Sequence, residues 1–100
     1  MNYKIDFHED VESDYLEAYT WYEDAKEGLG ERFLKMVRAK LEQIGKNPEA
    51  FSQKTKSGYR EAAVAIFPFS IVYKLYKKKK IIFVISVTHQ KRHPRRRIRK

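Results

Sequence analysis

The run Ile81-Ile82-Phe83-Val84-Ile85-Ser86-Val87 constrains this chain more than any other stretch, because a strand sends successive side chains to opposite faces and here both faces are apolar. Ile81, Phe83, Ile85 and Val87 are expected on one side, Ile82 and Val84 on the other. Such a strand is stable in the middle of a sheet, covered by helices on one face and by something else on the other. Residues 59–67 and 69–76 share its content of Ile, Val, Phe and Tyr and are separated by Pro68 and by Lys77-Lys78-Lys79-Lys80. Three strands joined by two hairpin turns follow, and the lysine turn reads first as a solubilising tip.

The front of the chain has a different period. Residues 1–7 alternate, with Tyr3, Ile5 and Phe7 on one side, as in a short half-buried strand. From about residue 8, Val11, Tyr15, Ala18, Tyr22 and Ala25 recur at three- and four-residue spacing, which predicts a helix to about residue 26. Glu9, Asp10, Glu12 and Asp14 crowd its first turns, where the helix dipole favours negative charge. Gly28 and Gly30 interrupt the pattern; Phe33, Val37, Leu41 and Ile44 then restore it up to Gly45-Lys46-Asn47-Pro48. Two such stripes hide each other as an antiparallel hairpin. Tyr19 and Trp21 flank the first stripe and read as core-edge aromatics.

The order strand, two helices, three strands is an α+β arrangement: a helical hairpin packed on a small, mainly antiparallel sheet of about four strands. Residues 1–100 form one domain, with a basic tail from 89 to 100. The first strand is expected beside the second, in antiparallel sense. The polar loop 49–58, with Lys54 and Lys56, has the length that often carries function.

Charge is divided along the chain. Residues 1–31 carry a net −8 and residues 32–100 a net +17. A basic back half suits polyanions or an acidic partner, while an acidic front argues against a pure nucleic-acid coat. Cysteine is absent, which excludes disulfides and thiolate nucleophiles. Three histidines without ligand spacing, and no glycine-rich phosphate loop, leave no metal, nucleotide or other cofactor implied. The apolar runs fall well short of a membrane span and the first residues do not read as a signal peptide, so the expected location is cytoplasmic.

Several strings, in order, carry a family resemblance: Trp21-Tyr22; Gly28-Leu29-Gly30-Glu31-Arg32-Phe33-Leu34; Asn47-Pro48; Tyr59-Arg60; Phe67-Pro68-Phe69-Ser70-Ile71-Val72-Tyr73; and Val87-Thr88-His89-Gln90-Lys91-Arg92-His93-Pro94. Together they resemble the RelE/ParE superfamily of toxins from bacterial type II toxin–antitoxin systems, over nearly the whole chain. RelE-type members cleave messenger RNA in the ribosome; ParE-type members poison DNA gyrase. The Phe67-Pro68-Phe69 string, Tyr73 and the His89-x-x-Arg92-x-Pro94 ending are similar to the ParE branch. The resemblance implies two protein partners, a cognate antitoxin and gyrase, with no membrane and no small-molecule substrate; the alternatives are the ribosome and its messenger RNA in place of gyrase, or an attenuated member that binds only its antitoxin.

The resemblance also names residues. His89, Arg92, Pro94, Arg95 and Arg97 are expected to contact the target, and Arg60, Phe69, Tyr73 and Arg92 the antitoxin, whose acidic side chains would face Arg60, Arg92 and Arg95. Under the alternative ribonuclease reading, metal-free cleavage needs a base, a phosphate clamp and an acid. Glu61 or Lys56 would be the base, Arg60 and Arg92 the clamp, His89 or Tyr59 the acid. The ribonuclease branch commonly has an arginine where this chain has Ser70, and a hydroxyl does not replace a guanidinium on a dianionic transition state. Arg97 and Lys100 stand where the ParE ending usually has an aromatic residue and an arginine. Other roles remain open: His89 as a strand-end histidine held in the sheet, His93 as solvated, Arg60 as the partner of an acid in the helical layer.

Overall fold

The computed structural model describes residues 3–53 and 58–91. A short strand β1 (Lys4–Phe7) leads into helices α1 (Val11–Ala25) and α2 (Leu29–Lys46), and strands β2 (Tyr59–Ala63), β3 (Phe69–Tyr76) and β4 (Ile81–His89) complete the chain. The sheet order is β1-β4-β3-β2, with β1 parallel to β4 and the other pairs antiparallel. The α+β layout and the central place of β4 match expectation. The partner of β1 does not: it lies beside β4 in parallel register, Ile5 opposite Ile82 and Phe7 opposite Val84. Pairing β1 with β2 would have left the most apolar strand as an unpaired edge, the arrangement sheets avoid.

A second difference is one of register. β3 and β4 slip between Val72 and Tyr73, where Val72 faces Ser86 but Tyr73 faces Val84, so Ile85 is the extra residue of a bulge. The bulge reverses the alternation. Val87 and His89 thereby join Ile82 and Val84 on the helix-covered face instead of following Ile81 and Phe83.

That face packs on both helices. Phe33, Val37 and Ile44 of α2 and Val11 and Ala18 of α1 meet Ile71, Tyr73, Ile82, Val84 and Val87, all buried. At one end Tyr22, Phe33, Phe67 and Phe69 form an aromatic cluster with ring centroids 4.8 to 6.1 Å apart, mostly edge to face. Phe67 and Phe69 thus pin the β2–β3 turn to the helices. β2 stops at Ala63, short of the expected residue 67, because Ile66 turns to φ 77° and Pro68 has no N–H to add to a ladder.

α1 begins at Val11, and α2 starts earlier and ends later than its apolar stripe, running through Gly45. What joins them is a carboxylate. Glu23 accepts from the N–H groups of Gly28 and Gly30, each at 2.9 Å, and so satisfies donors that the start of α2 leaves unpaired. Gly28 holds φ 87° at this N-cap, and at Gly30 a Cβ would stand 2.7 Å from the Tyr19 carbonyl oxygen. Both glycines are therefore required by the turn. No helix among the described residues is long and apolar enough to cross a membrane.

Candidate functional site

β1 is too short to accompany β4 to its end, and this shapes the first candidate region. Its pairing stops at Phe7 opposite Val84, which leaves the Val87 N–H on that side of β4 without a strand. Asp14 of α1 supplies the acceptor: its Oδ2 takes the Val87 N–H at 3.2 Å, and the residue is 3 % exposed. An acid within the apolar stripe of α1 is the sequence signal for this contact, and it was readable only as a helix-dipole charge. Beside it opens a cavity of about 390 Å³ lined by Asp14, Glu17, Trp21, Asp24, Phe69 and His89. Trp21 is 56 % exposed here, not a core-edge residue.

His89 stands at the rim of that cavity. Its ring meets Phe69 edge-on at 5.2 Å, and its Nδ1 accepts the Lys91 N–H at 3.1 Å, so in this bond the ring nitrogen carries no proton. Nearby Ser70 is buried, its Oγ accepting from the Gln90 side chain at 3.2 Å. The position that would hold a phosphate-binding arginine in a ribonuclease thus ties the end of β4 to β3.

Arg60 sits elsewhere. It lies on the helix-covered face of β2, opposite Tyr73, and donates to the Phe51 carbonyl at 2.7 Å. Tyr73 is fully buried and donates to the Pro48 carbonyl at 2.6 Å. Burial pushes its hydroxyl up to about 12. The two side chains fasten the segment after α2 to the sheet, so Arg60 holds a backbone carbonyl where an acid of the helical layer was an open reading. Tyr73 offers no surface to an antitoxin, and Phe69 is 7 % exposed within the aromatic cluster. Two of the four expected antitoxin contacts, Phe69 and Tyr73, are thus core residues.

Glu61, opposite Val72, points to the other face of the sheet. Tyr59 shares that face, with the Lys74 ammonium 5.4 Å from its ring centroid. Arg60 and His89 are partners of Tyr73 and Phe69, which lie about 13 Å apart along β3 at the usual rise of a strand. The described ribonuclease candidates, Tyr59, Arg60, Glu61 and His89, are therefore divided between two faces and two ends. Lys54, Lys56, Arg92, His93, Pro94, Arg95, Arg97 and Lys100 lie outside the described residues.

A second groove, about 400 Å³, runs between the helices and β1 and was not foreseen as a site. Phe7, Tyr15, Leu34, Val37 and Leu41 line it, together with Glu9 and Glu12 from the start of the α1 region and Arg38 from α2. Phe7 is 50 % exposed, and β1 forms one edge of the sheet. An open strand edge beside an apolar groove is suited to a partner that adds a strand or lays down a helix.

Comparison with known proteins gives the chain a family. No curated protein matches the chain. Among solved structures it is similar to a mutant E. coli toxin RelE in the free state, with a TM-score of 0.68 at 20% identity over 91% of this chain and 86% of that one. The chromosomal ParDE system of P. aeruginosa gives a TM-score of 0.76 at 12% identity, covering 87% of this chain and 95% of that one. The toxin–antitoxin complex RelBE of E. coli gives 0.67 at 21% identity, covering 90% and 99%. At these identities the likeness shows the fold alone. The model of the family described as ParE toxin of the type II toxin–antitoxin system parDE matches residues 5–94. The chain, by that match, belongs to the ParE toxin family.

Proposed function

We propose that this toxin stops DNA gyrase by binding it and is neutralised by a cognate antitoxin, with the cytoplasm as its place of action. The dispersal of Arg60, Glu61 and His89 over two faces and two ends of the sheet supports binding over cleavage, because acid–base chemistry needs its groups within reach of one scissile bond. The buried Ser70 supports the same reading. The target meets the end of the sheet at His89, with Arg92, Pro94, Arg95 and Arg97 following in the chain. The antitoxin occupies the groove at Phe7, Tyr15, Leu34 and Leu41 together with the edge of β1, and Arg92 remains a candidate contact. Phe69 and Tyr73 are replaced in that role because they are buried.

The test runs a supercoiling assay and primer extension on ribosomal messenger with the same protein. The expected result is trapped gyrase–DNA complexes with intact messenger. His89→Ala should weaken gyrase inhibition about tenfold, equivalent to roughly 1.4 kcal/mol of contact. Codon-phased cuts that vanish in His89→Ala, where a general acid would account for about 10² to 10⁴ in rate, would overturn the proposal in favour of the ribonuclease.

A further inference from the structure

Ile66 holds a backbone conformation that its side chain resists. Its φ is 77°, in the left-handed region where a β-branched residue is a rare and strained occupant and where glycine or asparagine sits at little cost. The residue is also 69 % exposed, at the tip of the β2–β3 turn. A single exposed isoleucine is ordinary, and a single strained residue can be a consequence of packing. Packing on either side fixes the turn, but it does not call for isoleucine at this position, since a residue so exposed contributes little packing in return for its strain.

The surroundings keep the strain in place. Val64 donates to the Phe69 carbonyl at 2.8 Å and closes the turn; Phe69 donates to the Phe67 carbonyl at 2.8 Å and tightens it. Val64, Phe67 and Phe69 are buried beneath, the two phenylalanines in the aromatic cluster. Ile66 is therefore presented on a rigid base, which lowers the entropy lost when a partner immobilises it. The same turn is joined to the end of β4, where Gln90 donates to the Pro68 carbonyl at 2.9 Å. His89, Gln90 and Lys91 thus stand on one platform with Ile66.

We infer that Ile66 is an anchor residue for the toxin's target protein, held in a strained turn so that it projects into an apolar socket beside the His89 end of the sheet. The partner surface it fits is an apolar depression with an acidic group near it, opposite the exposed Lys91. Strained backbone positions cluster at functional sites, and this one is also exposed. The inference rests on the reading of the chain as a toxin that works by binding a protein, and it does not require that protein to be gyrase.

The test compares Ile66→Asn and Ile66→Leu in the full chain, expressed without antitoxin from a tightly repressed promoter and also purified. Asparagine relieves the strain and removes the apolar group. It should raise the melting temperature by about 4 °C while weakening growth arrest and gyrase inhibition about tenfold or more. Leucine keeps an apolar group and should stay within about threefold of the parent. An Ile66→Asn chain of full potency overturns the inference, as does one that melts lower than the parent, which would make Ile66 a packing residue. Loss of antitoxin neutralisation with potency unchanged also overturns it, by assigning the turn to the antitoxin. Arrest that depends on Ile66 while the parent leaves gyrase untouched keeps the anchor and rejects gyrase; a parent chain that arrests nothing rejects both.

Discussion

Tyr73 shows what a single side chain does here. Its hydroxyl is the donor that satisfies the Pro48 carbonyl at the end of α2, in a place water does not reach. Tyr73→Phe should leave that acceptor unpaired and cost about 1–3 kcal/mol in urea unfolding. The same residue sets a pH limit. Burial raises its hydroxyl to about 12 from an ordinary 10.0, so the fold favours the neutral form. The contribution is whole below pH 10 and is lost as pH rises through about 12, because the unfolded chain releases this proton first. An alkaline titration of melting temperature should show a decline across that window that is smaller in Tyr73→Phe. Asp14 acts comparably at the other end of the sheet, and Asp14→Ala should leave the Val87 N–H without this acceptor.

Among the elements, the junction between α1 and α2 has the least freedom. The backbones of the two helices approach so closely that Gly30 has no room for a methyl group, and the nearest obstacle is the Tyr19 carbonyl, which is backbone and cannot swing aside. Gly30→Ala should therefore cost about 1–3 kcal/mol despite the better helix propensity of alanine. Glu23→Ala should cost about 1–2 kcal/mol by freeing the two N–H groups it caps, with Glu23→Gln keeping part of the effect. Thermal melts of the purified toxin read both. The turn residues Gly28 and Gly30 were recognisable as a break between stripes, whereas Glu23 resembled any other acid on an exposed helix.

For the whole molecule, the partition of charge and the groove beside β1 belong together. The acidic front half contributes Glu9 and Glu12 to its lining and the basic half contributes Arg38. A partner lying there meets apolar groups together with charges of both signs. Placing a charge among its apolar lining, Leu34→Glu or Phe7→Asp, should weaken antitoxin binding by roughly 2 kcal/mol or more, read by calorimetry, while growth arrest by the free toxin is retained. Phe7 is half exposed, so its substitution should affect folding less than that of the buried Val37.

The amino-acid sequence by itself determined the number and kind of elements. Periods of 3.6 and 2 residues report which side of a segment is apolar, and that is a local property, so helices, strands, hairpin turns and the central place of β4 were all legible. Tertiary structure alone decided the partner of β1, the bulge at Ile85 and the faces on which Arg60, Glu61 and His89 stand. Pairing choices depend on which distant edge is left uncovered, and one extra residue in a strand reverses every later side chain, a change that no local pattern records. For the same reason Tyr73 and Phe69 read as surface contacts by their place in a motif and proved to be core by their place in the sheet. The strain at Ile66 likewise exists only once the buried residues on either side of it have fixed the turn.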